Sequence, residues 1–230
     1  MTEPDPSLTG ALLGRPAIDA LRSFLELWHG LDLTDPRWNI DGEMPPGLAL
    51  LLPHERTLCR QAHLTLPEPD LTDPTRWIFC VEKRGEWQWS FQPDGSANPP
   101  IASSDGSPEW QTEALSLDEF LLTLAIREST VLGSYRFGGY TGLVAPAQLQ
   151  AVLGTLEAVA APWRFHAIRC YVSRDVIAFT SSGNGQQLRL YVAAKGAEPL
   201  RFLNDIIRAD PLPWEEIRVD GKERYPIDGF

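Results

Sequence analysis

Four residues between positions 54 and 63 have the types that hold a metal ion: His54, Glu55, Cys59 and His63. On one continuous helix Glu55, Cys59 and His63 would recur at i, i+4 and i+8 and share a face. The spacing matches no established zinc pattern and a fourth ligand is missing. A short helix with scattered polar residues therefore accounts for the stretch better, and no metal site is assigned. The run Gly138-Gly139-Tyr140-Thr141-Gly142 precedes a predicted helix, an arrangement in which backbone N–H groups can meet a phosphate. It lacks the Lys-Ser/Thr pair of a P-loop and a convincing strand before it, which favours a flexible link. Ser181-Ser182-Gly183 does not continue into the strand-to-helix elbow of a nucleophilic serine and reads as a hairpin turn. The carboxylate pairs Asp118-Glu119 and Glu215-Glu216 have the composition for acid–base work, but the first fits a helix N-terminus, where negative charge is favoured. His29 and His166 have no such companions, and His166 is expected within a strand as a core histidine. No catalytic residue and no cofactor is assigned, and the chain is expected not to be an enzyme.

The chemistry of recognition is better represented. Trp87, Trp89 and Trp110 are of the type enriched at partner hot spots. Trp87 and Trp89 alternate with polar residues and are expected to pack in a core, whereas Trp110 is flanked by Glu109, Gln111 and Glu113. With Asp94 and Asp105, these residues lie on the loop-rich side of a hairpin, where binding specificity usually resides. The candidate partner-binding residues are therefore Asp94, Asp105, Glu109, Trp110 and Glu113.

The element that positions them is the hairpin. Trp77 to Val81 and Trp87 to Phe91 are apolar runs around a charged tetrapeptide with Gly85 at a turn position. With Arg84 and Gly85 as the loop residues, Glu82 would oppose Trp87, Cys80 would oppose Trp89 and Ile78 would oppose Phe91. A Gly/Asn/Pro stretch then leads through Asn98-Pro99-Pro100-Ile101 to Trp110. Ser116-Leu117-Asp118-Glu119 fits a capping box that opens a helix with Phe120, Leu121, Leu124 and Ala125 as its apolar stripe.

Upstream, Pro16 to Gly30 reads as an amphipathic helix, with a loop after it that holds at most a short extended piece at Trp38 to Ile40. Leu48 to Leu52 is a buried run of ambiguous type, and a short helix follows Pro53. Downstream, the glycine-rich stretch is expected to link two lobes, followed by a helix from Leu149 to Ala160. Three strands, Phe165 to Val172, Val176 to Thr180 and Leu188 to Ala194, precede a last helix around Pro199 to Arg208.

The order of these parts resembles the SUKH superfamily of bacterial immunity proteins and fungal cell-wall-synthesis regulators. Its members carry an apolar strand, a Glu-Asn-Gln-Gly turn, an aromatic second strand, an Asp-Pro-Pro-Val motif, a Trp and a helix beginning near Leu-x-x-Phe-Leu. The corresponding residues here are Phe79 to Val81, Glu82-Lys83-Arg84-Gly85, Trp87 and Trp89, Asn98-Pro99-Pro100-Ile101, Trp110 and Leu117 to Leu121. Lys83-Arg84 stands for Asn-Gln and Asn98 for Asp. The likeness covers residues 16–130 and implies an α+β fold, an antiparallel sheet with helices on one face, with a smaller α+β C-terminal lobe. The expected organisation is a tail at 1–15, a SUKH-like acidic binding lobe at 16–130, a link at 131–145 and the C-terminal lobe at 146–230. The resemblance also implies a non-enzymatic module: an immunity protein that neutralises a cognate toxin, or alternatively a regulatory scaffold for endogenous partners.

Charge adds a direction. The net charge is −11, yet residues 1–130 carry 9 Lys/Arg against 21 Asp/Glu while the rest are nearly balanced. Such a field repels nucleic acid and anionic membrane and attracts a basic partner, a nuclease-like toxin among them. The N-terminal MTEPDPSLTG has no signal-peptide pattern and no apolar run is long enough to cross a bilayer, so a cytoplasmic protein is expected. Cys59, Cys80 and Cys170 are expected to be buried free thiols.

Overall fold

The computed structural model describes residues 9, 12–33, 44–107, 109–131, 137–173, 175–183, 186–196, 198–200, 212–219 and 222–223. Trp38 to Ile40, and all of the expected last helix beyond Leu200, lie outside these residues. The architecture is mixed α+β, and the described residues form two sheets whose pairings are antiparallel throughout. The chain forms two units: residues 15–128 with Trp163–Phe165, and residues 1–14, 129–162 and 166–230.

In the first unit, helix α1 (Ala17–His29) buries Leu21, Phe24, Leu25 and Trp28 along one stripe and ends at Gly30, whose φ of 66° suits glycine. The ambiguous run 48–52 proves helical: α2 spans Pro46–Leu51, followed by a 3-10 turn Leu52–His54 and the one-turn α3 (Glu55–Leu58). The five-stranded sheet is a meander in sequence order: β1 (Ala62–Pro69), β2 (Trp77–Glu82), β3 (Gln88–Phe91), β4 (Pro100–Ser104) and β5 (Gln111–Ser116). Helix α4 (Leu117–Val131) follows directly. Glu119 reaches back to accept hydrogen bonds from Ser116 N–H and Ser116 Oγ, both at 2.8 Å, as the capping-box spacing predicts.

The hairpin keeps Cys80 opposite Trp89, but Ile78 opposes Ser90 and Trp77 opposes Phe91. The correction has a single cause, a β-bulge at Phe79, where the extra residue shifts register. Both Phe79 and Cys80 are therefore fully buried. The Phe79 ring meets Phe91 at 5.8 Å and Phe120 of α4 at 5.6 Å, and Trp89 meets Phe120 at 5.3 Å. The turn holds four residues rather than two, because Glu82 O accepts Gly85 N–H (2.7 Å) and Glu82 Oε2 accepts Arg84 N–H (2.8 Å). Gly85 adopts φ 76°.

Trp163–Phe165 completes this core. Trp163 stacks on Phe120 at 4.7 Å and donates from Nε1 to Thr123 Oγ1 at 2.6 Å, and Phe165 packs on Trp87 at 5.3 Å and Trp89 at 5.7 Å.

The second unit has a seven-stranded sheet in the order β12-β11-β6-β10-β9-β8-β7. Its strands are β6 (Phe137–Thr141), β7 (Glu157–Ala158), β8 (Arg169–Val172), β9 (Val176–Ser182), β10 (Leu188–Ala194), β11 (Trp214–Val219) and β12 (Lys222–Glu223), with helix α5 (Pro146–Leu153) between β6 and β7. Leu149, Val152 and Leu156 pack with Val176, Ala178, Leu190 and Val192 in one core. The helix expected to reach Ala160 stops at Gly154, and the chain then enters β7. The glycine stretch is a strand inside the sheet rather than a loop. A side chain at Gly138 would stand 2.5 Å from Val192 O, so close strand approach demands glycine there. Phe165–Ala167 is a 3-10 turn, and His166 is exposed with φ 50°, not a core residue within a strand.

Candidate functional site

On the first unit's sheet, a groove of about 660 Å³ opens over Ile78, Val81 and Gln88 and is bounded by Thr65, Asp70–Thr72, Ser104 and Trp110. Its edge is built by local hydrogen bonding that the sequence encodes twice. In Asp70-Leu71-Thr72 and Asp73-Pro74-Thr75, the Asp carboxylate accepts the N–H two residues on, at 3.0 and 3.2 Å, forming two Asx turns. Asp70 also accepts from Thr72 Oγ1 (3.0 Å) and Trp110 Nε1 (2.9 Å). Burial pushes the Asp70 carboxyl upward, but the hydrogen bonds from Thr72, Trp110 and Asp73 together outweigh it and hold the group below its ordinary range. Arg76 lies 5.8 Å from the Trp110 ring centroid and bridges Asp73 at 3.3 Å. Trp110 is thereby held from two sides by buried or ion-paired groups.

Leu71, 99% exposed, lines this groove, and Leu66 on β1 is 61% exposed. The edge strand β1 is broken by a register shift between Leu64 and Glu68 and carries Pro67 and Pro69, features that keep an edge from pairing with another strand. Recognition at this face would therefore run through side chains.

The five candidate partner residues do not form one patch. Asp105, Glu109 and Trp110 lie together on the β4–β5 loop, beside the hairpin turn, as Gly106 next to Glu86 O attests. Asp94 is exposed on the β3–β4 loop at the other end of the strands, its Oδ1 taken by Ser96 N–H at 2.9 Å. Glu113 is only 5% exposed, and its Oε2 accepts Arg164 N–H at 3.0 Å, so it faces the core and offers no surface for a partner. The groove residues Ile78, Val81 and Asp70, and Arg76 beside the Trp110 ring, escape sequence reasoning, although the repeated Asp-x-Thr is a signal that could have found the Asx turns.

The chemical candidates disperse. α3 ends at Leu58, Cys59 is extended and His63 lies on β1, so no shared helix face exists. Glu55 and His63 do meet, at 3.2 Å, but the Cys59 thiol is buried and pushed far up by that burial. Among the described residues no three His, Cys, Asp or Glu side chains are grouped to hold a metal ion. Gly138 and Gly139 are paired with β10 and β11, and Gly142 N–H donates to Pro213 O at 2.7 Å, so these backbone groups are committed. Ser181 and Ser182 end β9 ahead of the hairpin to β10. Glu215 and Glu216 pair separately with Arg189 (3.2 Å) and Arg218 (2.8 Å). No helix among the described residues is long and apolar enough to cross a membrane.

Asn98 has a structural duty. Its Oδ1 accepts Asp118 N–H at 2.9 Å while Pro99 O accepts Leu117 N–H at 3.0 Å, which caps α4 from the Asn-Pro-Pro turn. The chain matches no protein-family model, no curated protein and no solved structure.

Proposed function

We propose that the protein is a non-enzymatic immunity protein of the SUKH superfamily whose first unit binds and neutralises a cognate toxin domain. The observation that carries this reading is the groove: a half-exposed apolar floor on a sheet, lined also by exposed Leu71, in the strongly acidic part of the chain. Negative charge around such a surface speeds encounter with a basic partner, and a nuclease-like toxin, which binds a polyanion, suits it. The substitution of Asn98 for Asp is compatible with membership, since either side chain presents an oxygen to the α4 N-terminus.

The test is co-expression with each candidate toxin domain from its genomic neighbourhood, scored by cell survival, with pull-down of the tagged protein washed at low and at high salt. Survival and recovery of one basic domain, released as salt rises, are expected. Recovery of housekeeping proteins alone, without protection, would replace this reading by the regulatory scaffold.

A further inference from the structure

We infer that the groove seats an extended segment of the partner in which lysine or arginine alternates with apolar residues; this rests on the reading of the first unit as a protein-binding module. Three features converge on that occupant.

The first is the floor. Ile78 and Val81 are half-buried on β2, and Trp110 stands beside them as a fixed wall. Lys and Arg lay aliphatic stems along such a surface while their heads reach water or charge.

The second is the rim. Glu68 lines the groove, Asp105 sits between the lining residues Ser104 and Gly106, and Glu109 precedes Trp110; all three are exposed. None of the three has an ion-pair partner among the described residues. Arg76 is already engaged by Asp73 and Trp110, and Lys83 and Arg84, on the hairpin turn, are not among the lining residues. The charge presented to an occupant is therefore negative.

The third is length. The floor runs from Ile78 to Val81, on the order of 10 Å of strand, which matches about three extended residues. In an extended segment alternate side chains face the same way, so a basic residue on the floor leaves its apolar neighbours at the groove mouth, where the lining residue Leu71 stands exposed.

The experiment uses the full chain and two blocked pentapeptides, Ac-Val-Lys-Val-Lys-Val-NH2 and its Glu counterpart, titrated by NMR with the Trp110 indole N–H and the Val81 and Ile78 methyls as reporters. The basic peptide is expected to shift these signals in a saturable way, at least tenfold more tightly than the acidic one. Glu68→Lys combined with Glu109→Lys changes only exposed side chains that hold no hydrogen bond among the described residues, and is expected to weaken the basic peptide at least tenfold. Equal binding of both peptides, shifts confined to other surfaces, no binding at millimolar peptide, or unchanged affinity in the double variant would overturn the inference. The two readings separate cleanly. A toxin neutralised equally well by the double variant leaves the proposed function standing and removes this site. A peptide seated in the groove of a protein that neutralises no toxin keeps the site and removes that function.

Discussion

Asp118 offers a measurement on a single carboxyl group. It sits in the first turn of α4, only 5% exposed, with its Oδ1 lacking a hydrogen-bond partner and packed against Gly47. Burial first, and the Glu119 charge second, push its pKa from an ordinary 3.8 up to about 6. The folded state therefore holds this proton over a range in which the unfolded chain has lost it. Its contribution to stability is fully present below pH 3.8 and is lost as pH rises through about 6. A shift of about two units corresponds to roughly 3 kcal/mol, an order-of-magnitude figure. Asp118→Asn removes the buried charge but also a favourable interaction with the helix N-terminus worth about 0.3–1 kcal/mol, and it leaves an amide to desolvate. A net gain of about 1–2 kcal/mol at pH 7.5 is expected, vanishing near pH 3.5. Urea unfolding of both proteins from pH 3.5 to 8 gives the difference curve, and carbon NMR of the Asp118 carboxyl gives the midpoint directly. A flat difference curve, or a midpoint near the ordinary value, would refute the reasoning.

Gly47→Ala should destabilise by about 1–3 kcal/mol although alanine favours helix, because its methyl would collide with Asp118 Oδ1 and stand 3.0 Å from Leu121 Cδ1; thermal unfolding reads this. Thr123→Val keeps the shape but leaves the buried Trp163 Nε1–H without its 2.6 Å acceptor, an expected loss of about 1–3 kcal/mol in urea unfolding, whereas Thr123→Ser should retain most of the bond. Asp70→Asn weakens the charge-assisted bonds from Thr72 and Trp110, at an expected cost of about 1.5–3 kcal/mol, and should shift the Trp110 indole N–H resonance. Because the Asp70 pKa is lowered, the stability it supplies is present above its ordinary range and disappears as pH falls through the folded value, so the variant and the parent should converge in acid.

The elements read most readily from sequence are those specified by neighbours in the chain. The α1 stripe and its glycine stop, the Ser116/Glu119 cap, the Cys80–Trp89 pairing and the β9–β10 hairpin all rest on contacts a few residues apart or on strict alternation. The acidic loop with Asp105, Glu109 and Trp110 was legible for the same reason, as charge and an aromatic in a turn-rich stretch. The Phe79 bulge was not, because a bulge answers the packing demands of Phe91 and Phe120 and leaves the local pattern unchanged.

Sequence alone determined the mixed α+β class, the hairpin at the centre of the first unit and the concentration of negative charge before residue 130, since periodicity, turn chemistry and charge are properties of adjacent residues. Tertiary structure decided the rest. It drew Gly138-Gly139 into a paired strand, at a spacing that only glycine fits at Gly138, and withdrew Glu113 from the surface by pairing it with the Arg164 backbone 51 positions away. It also supplied Trp163 to a core it stands 40 residues from in Thr123. Strand propensity and apparent exposure are overridden when distant backbone and side chains provide the hydrogen bonds and packing that local sequence lacks.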